Sequence, residues 1–368
     1  MKQYLLIIIV IVFEAVSSCD SSARPSSLLL WDKGRLEQLR VELATNKDAE
    51  EIIEAANNYC EMSPVVVVGE KTLHFAPDEH YFCTMGPYRW PDPEHPGQYV
   101  WRDGEKNPEY ATYDSGKLEE LELQCEKLSK AFYLTNDLKY YEAFVKQLRA
   151  WFIDEDTYMY PNFEYSQVVP GKNNNKGTSS GSISAYTFNT IIESIRLVDM
   201  VNRIDRKTYK ALQKWFLDFA NWEDRHYGQY FMNVNNNISL AFDVTQVNMY
   251  LFAGKTRKAK RIANGFASRR IYQQIMEDGS QPEELKRANA FGYSIYNLTH
   301  IIDFCHIVSY WDKGYYEKHK ERIDKVFEFL QKYAEHPETF PYQQKNGIGN
   351  SVKRLNNQRQ RRDSLRNR

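Results

Sequence analysis

The chain has 368 residues, 42% of them hydrophobic, which suits one large domain or two small ones; a single domain with a sizeable core is the preferred reading. Its 48 Lys and Arg against 49 Asp and Glu leave a formal net charge of −1, so no global field favours nucleic acid, and any charged ligand must be recognised in a local cleft. Aromatic residues reach 14%, with 26 Tyr and 7 Trp, a supply that serves either a Tyr-rich helical core or stacking against sugar rings.

Residues 1–18 carry Lys2, an apolar run over 4–13 and small residues before Cys19, the layout of an export signal that is removed. Val16-Ser17-Ser18-Cys19 resembles a bacterial lipobox, so Cys19 is expected to be lipidated, with residues 19–29 as the new N-terminus and a polar tether. No other stretch approaches the roughly 20 apolar residues of a membrane span. The expectation is an exported protein, held in the bacterial periplasm or at the cell surface by its lipid alone. Cys60, Cys83, Cys125 and Cys305 are widely spaced with no CxxC pair. That pattern argues against a metal site, and free buried thiols are expected although export permits a disulfide.

From Trp31 to about Cys60, Leu36, Leu39, Leu43, Ile52, Ile53 and Ala56 recur at helical spacing, predicting one long or broken helix. Residues 61–112 differ. Val65-Val66-Val67-Val68 is a short extended run, and the prolines of Gly86-Pro87-Tyr88-Arg89-Trp90-Pro91-Asp92-Pro93 forbid a helix, which implies a long aromatic-rich loop. Helical periodicity returns over 115–135, 138–152, 182–202, 206–222, 239–253, 255–276, 282–309 and 315–333. Repeated antiparallel helix pairs with hardly any strand signal predict an all-α toroid or solenoid rather than a four-helix bundle. Residues 344–368 are basic and poor in apolar side chains, a solvated terminal helix or a frayed tail.

Function concentrates in long loops on such a scaffold. Tyr88, Arg89 and Trp90 set a cation between two aromatic rings, suited to a sugar subsite. Tyr165 and Gln167 lead into the Gly-, Lys- and Asn-rich run 171–181, where Lys172 suits a polar ligand. Asn236 and Asn237 belong to an amide cluster ahead of a helix, where either amide contacts a ligand or Asn237 is an N-cap. Arg287 and Tyr293 lie six apart, off a common helical face, so a bend or helix start is needed to aim both at one ligand.

Four ordered segments carry a resemblance. Residues 81–93 with 102–109, then Pro161-Asn162-Phe163-Glu164-Tyr165-Ser166-Gln167, then Asp278-Gly279-Ser280-Gln281-Pro282-Glu283-Glu284-Leu285, then Tyr293-Ser294-Ile295-Tyr296-Asn297-Leu298 together resemble the signatures of alginate lyase-like polysaccharide lyases. The similarity runs over roughly residues 30–343. It implies an incomplete α/α barrel that cuts uronate polymers by β-elimination, with an anionic polysaccharide as partner and no cofactor.

The chemistry explains the residue types. The proton on carbon 5 of a uronate is too weakly acidic to remove until the neighbouring carboxylate is neutralised and the developing enolate is held by donors. A base then takes the proton. The resemblance assigns Tyr293 as base or acid, Arg287 as its helper easing loss of its proton, and Asn236 and Asn237 to the amide part of an Asn-Asn-His motif that ends at Asp243. In an ungapped match Ile238 stands where that motif has histidine, and a shift by one puts Asn237 there instead; Gly292 stands where another histidine commonly precedes the tyrosine. The leading expectation is a lyase on a uronate-containing glycan. A catalytically weakened glycan-binding relative is one alternative; a glycoside hydrolase drawing on Glu164, Asp243 or Glu283 is another.

Overall fold

The computed structural model describes residues 27–69, 71 and 75–366. The segment expected to be an export signal, Cys19 and most of the expected tether lie outside the described residues.

The periodicity over 31–60 resolves into two helices, α1 (Lys33–Val41) and α2 (Lys47–Glu61), because Asp32 and Asn46 each accept a backbone N–H of the following first turn. After the loop segment come α3 (Asp114–Thr135) and α4 (Leu138–Phe152). Asn136 in the left-handed region (φ 58°) closes α3, and Asp137 caps α4. The remaining helices are α5 (Phe188–Val201), α6 (Arg206–Phe231), α7 (Asn237–Phe252), α8 (Thr256–Phe266), the short α9 (Tyr272–Gln274) and α10 (Pro282–Leu285), α11 (Ala290–Val308), α12 (Tyr315–Glu335) and α13 (Gly349–Arg366).

The toroid follows from which faces are apolar. Nearly every residue of α7 and α11 is buried, whereas α6, α8 and α12 bury a single stripe. Helices apolar all round belong inside, and one-sided helices wrap them. Accordingly α3 packs against α2, α4 and α5; α7 against α6, α8 and α11; and α11 against α12 and α13. One apolar cluster runs from Leu29 through Phe188, Phe216, Val247 and Ile301 to Leu365. Each fully buried Leu, Ile or Phe in it contributes about 1.5–3 kcal/mol.

Two departures from the periodicity shape the site. The run over 282–309 is broken at 286–289, where the chain turns between α10 and α11. The basic end of the chain is the helical alternative: α13 packs by Leu355 and Leu365 and pairs Arg362 and Arg366 with Asp324 of α12. The strand content is small. Strand β1 (Cys83–Met85) pairs parallel with β4 (Tyr165–Val168), and β2 (Arg89–Pro91) pairs antiparallel with β3 (Tyr99–Trp101).

Cys60, Cys83, Cys125 and Cys305 are free thiols, the last three buried. Among the described residues, no group of three or more His, Cys, Asp or Glu is placed to hold a metal, and no helix is long and apolar enough to cross a membrane.

Candidate active site

The turn at 286–289 supplies the bend that Arg287 and Tyr293 require. Helix α11 begins at Ala290, whose N–H donates to the Gln343 carbonyl (3.0 Å), while the Phe291 N–H donates to Gln344 Oε1 (3.0 Å). Arg287 therefore precedes the helix and folds back over it. Its Nη2 donates to Tyr293 Oη at 2.8 Å, with the guanidinium carbon 3.8 Å from the centre of the tyrosine ring. Tyr88 Oη lies 2.9 Å from the same hydroxyl.

Asp103 fixes this arginine. It accepts from Arg287 Nε (3.0 Å) and Nη2 (2.6 Å) and from the Ala288 N–H (2.8 Å), a charge-assisted fork that sets the plane of the guanidinium. Gly104 lets the loop approach that closely: its φ is +76°, and a Cβ there would lie 3.0 Å from the Ala288 Cβ. The expected easing of Tyr293 ionisation does not prevail. Burial raises the pKa of its hydroxyl, the hydrogen bond with Tyr88 adds to that, and the Arg287 charge opposes them without overcoming them. Tyr293 thus carries its proton at neutral pH.

The amides divide their work. Asn236 is the N-cap of α7, with Oδ1 accepting from the Ile238 and Ser239 N–H groups in a reciprocal capping box with Ser239. Of the two asparagines it is therefore Asn236, not Asn237, that caps. Asn237 is buried and donates its backbone N–H and its Nδ2 to the two oxygens of Glu284, both at 2.7 Å. Glu284, itself buried on α10, has its carboxyl pushed up to about 7, first by burial and against the pull of Asn237 and Arg287. A chain of contacts thus links Asn237, Glu284, Arg287, Tyr293 and Tyr88, with charge coupling as the link between Glu284 and Arg287.

The Tyr88, Arg89 and Trp90 group is split. Tyr88, just before β2, reaches Tyr293, whereas Trp90 within β2 is committed to the loop: it donates Nε1–H to the Glu105 carbonyl (2.8 Å) and carries Arg102 over its ring. The aromatic partner of Arg89 is Trp101, 5.0 Å from its guanidinium carbon. Trp101 is 50% exposed and stands perpendicular to the Tyr88 ring at 5.2 Å, so it leaves aromatic surface open to solvent beside Tyr88. Tyr165, Gln167 and Lys172 lie on β4 and the loop after it, joined to the Tyr88 segment through the bond from the Gly86 N–H to the Val168 carbonyl, with no contact to Tyr293. Tyr165 is buried against Tyr81. Gln167 is held at φ 52°, strained for a residue with a side chain, and Lys172 is exposed.

Glu164, Asp243 and Glu283 are each committed to ion pairs, with Lys176, with Arg269 and Arg270, and with Lys286. Nothing brings two of them together across a shared cleft.

Sequence reasoning missed Asp103, Trp101, Glu284 and above all Arg354. A cleft of about 400 Å³ is lined by Tyr88, Tyr293, Tyr296, Asn346, Asn350 and Arg354. Arg354 comes from α13 and donates to Ser351 Oγ (3.2 Å); among the described residues it makes no ion pair. A Cβ on Gly292 would lie 3.3 Å from its Nη2, so the guanidinium occupies the space that a side chain at 292 would need.

A family model described as alginate lyase matches residues 69–340. The chain belongs to the alginate lyase family. The crystal structure of an alginate lyase from Bacteroides ovatus superposes with a TM-score of 0.85 at 29% identity, covering 93% of this chain and 92% of that one. A histidine-to-alanine variant of alginate lyase A1-III complexed with tetrasaccharide superposes with a TM-score of 0.58 at 14% identity, covering 86% of this chain and 80% of that one, and shares the fold. No curated protein sequence matches the chain. This alginate lyase family member is a polysaccharide lyase with the α/α toroid of its relatives, and its partner is a polysaccharide.

Proposed function

We propose that the chain cleaves a uronate-containing polysaccharide, alginate or a related polyuronate, by β-elimination at Tyr293. The observation that carries this reading is the Tyr293 hydroxyl, held within 2.9 Å of both Arg287 and Tyr88 and lining the same cleft as the Arg354 guanidinium.

The roles follow from the bonds. Arg354, free of carboxylates, pairs with the uronate carboxylate and neutralises it, which acidifies the carbon 5 proton. The Asn237 Nδ2 hydrogen not given to Glu284 is a further donor toward the enolate. Tyr293, protonated at rest, must first become a base. Arg287 is the counter-charge of the tyrosinate, and the bond to Tyr88 is the route by which the proton leaves toward solvent. The tyrosinate then takes the carbon 5 proton, the electron pair forms the double bond between carbons 4 and 5, and the departing oxygen takes a proton back from Tyr293. One residue serving both steps requires proton and leaving group on the same side of the ring.

Trp101, Arg89 and Tyr88 form the adjoining sugar subsite, by stacking and charge. Lipidation at Cys19 would place the enzyme on a membrane surface in the periplasm or outside the cell. The test is a panel of polyuronates followed by ultraviolet absorbance of the conjugated double bond. The second reading, a glycan binder without turnover, draws on Ile238 and Gly292, which leave both expected imidazole positions empty. It predicts binding with no absorbance.

A further inference from the structure

A second and larger cleft, of about 810 Å³, opens between α1 and α13. Its lining includes Trp31, Lys130, Tyr186, Asn357, Gln360 and Arg361. Helix α13 lines both clefts with one face: Asn350, Ser351 and Arg354 face the Tyr293 cleft, and Asn357, Gln360, Arg361 and Ser364 face the larger one. Steps of three and four keep those residues on one stripe, which spans roughly 21 Å at 1.5 Å per residue. The two clefts are also close side to side. Tyr186 of the larger and Tyr296 of the smaller have ring centres 6.5 Å apart, with the His300 ring 4.3 and 4.4 Å from them. His300 is buried, and neither ring nitrogen has a hydrogen-bond partner.

The larger cleft carries carbohydrate chemistry. Its three cations are already paired, Arg35 with Asp48, Lys130 with Glu126 and Arg361 with Asp303, so a bare anion gains little there. What remains are the amides of Asn357 and Gln360, exposed and without hydrogen-bond partners among the described residues, and the Trp31 ring. Lys130 lies 4.5 Å from the centre of that half-buried ring, which packs on the apolar core and presents its remaining surface to the cleft. Trp31 is also held in place. Its N–H and those of Leu29 and Leu30 all donate to one oxygen of buried Glu193, at 3.2, 2.9 and 2.8 Å.

We propose that this cleft is a second saccharide site, holding by ring stacking and hydroxyl contacts the part of a polyuronate chain remote from the scissile bond, with α13 as the ruler between the two. The inference rests on the function proposed above. Its test is the affinity of the Tyr293→Phe chain for saturated alginate oligosaccharides, a tetrasaccharide and an octasaccharide, by titration calorimetry. The octasaccharide should bind about tenfold more tightly, as one added stacked ring with its hydrogen bonds would give. Adding Asn357→Ala with Gln360→Ala, both at exposed helix positions that tolerate alanine, or adding Gln360→Glu, should erase that gain and leave tetrasaccharide affinity unchanged. Trp31→Ala should do the same if it folds. No gain with length, or a gain that survives these substitutions, overturns the site. Wild-type cleavage is read in parallel: unsaturated product without a length gain overturns this inference alone, and a length gain lost in the variants without any product upholds it while overturning the lyase.

Discussion

Gly292 on α11 and Arg354 on α13 share one volume: a Cβ on the glycine would stand 3.3 Å from the arginine Nη2. Removing a side chain from one helix has made room for a cation delivered by another. Arg354→Ala should therefore raise KM for a polyuronate and lower kcat together, because the carboxylate is held in both ground and transition states. A loss of about 2–3 kcal/mol in kcat/KM is expected for a charged partner. Arg354→Lys should recover part of it. Unchanged kinetics in Arg354→Ala would remove this residue from the site.

Asp103 acts through Arg287. Asp103→Asn keeps the shape but donates where it should accept, so the fork loosens and Arg287 is freed from Tyr293. The account expects kcat to fall at least tenfold with little change in KM, and the rise of rate with pH to move, since Arg287 is the charge that opposes the raised Tyr293 pKa. A pH profile identical to wild type would show that Asp103 only supports the loop.

Glu284 gives a stability signature. Its carboxyl is raised to about 7 from an ordinary 4.5, so the folded chain holds a proton that the unfolded chain has released across that window. Stability therefore declines as pH rises from about 4.5 to about 7, by roughly 3 kcal/mol in full. Buried Glu223, raised to about 8, acts in the same direction. Glu284→Gln should flatten the fall in melting temperature between about pH 5 and about pH 8 without abolishing it. Equal slopes in the two proteins would contradict the assignment.

The helices and the family were legible because they depend on local signals: apolar spacing, Asp and Asn caps, and the ordered segments around Tyr88, Tyr165, Glu283 and Tyr293. What could not be read came from partners far apart in the chain. Asp103 finds Arg287 across 184 residues, and the Tyr88 hydroxyl meets Tyr293 across 205. Trp90 and Trp101 look equally suited to stack a sugar until the pairing of β2 with β3 decides which faces the cleft. The basic run at the end of the chain hid Arg354, because five other arginines follow it and only the packing of α13 on α11 selects one.

Trp101 and Trp90 are separable on that ground. Trp101→Ala should weaken oligosaccharide binding by about 1–2 kcal/mol, the loss of a cation–π and stacking face, with little change in melting temperature. Trp90→Ala should loosen the β2–β3 hairpin instead. The reverse pattern would show that the subsite is centred on Trp90.

Cys19→Ala tests the anchor: detergent partitioning of the full-length chain should shift from the detergent to the aqueous phase. Partitioning as in wild type would show that Cys19 is not lipidated.

The most direct test of the account compares wild type with Tyr293→Phe on a panel of polyuronates, reading ultraviolet absorbance of the new double bond. The variant keeps the ring under Arg287 and loses only the hydroxyl. Wild type should release unsaturated product from at least one polymer, and Tyr293→Phe should do so at least about a hundredfold more slowly with near-normal oligosaccharide affinity. Equal rates in the two proteins would contradict the central role of Tyr293, and no absorbance from wild type on any polyuronate would leave the fold as a glycan-binding scaffold.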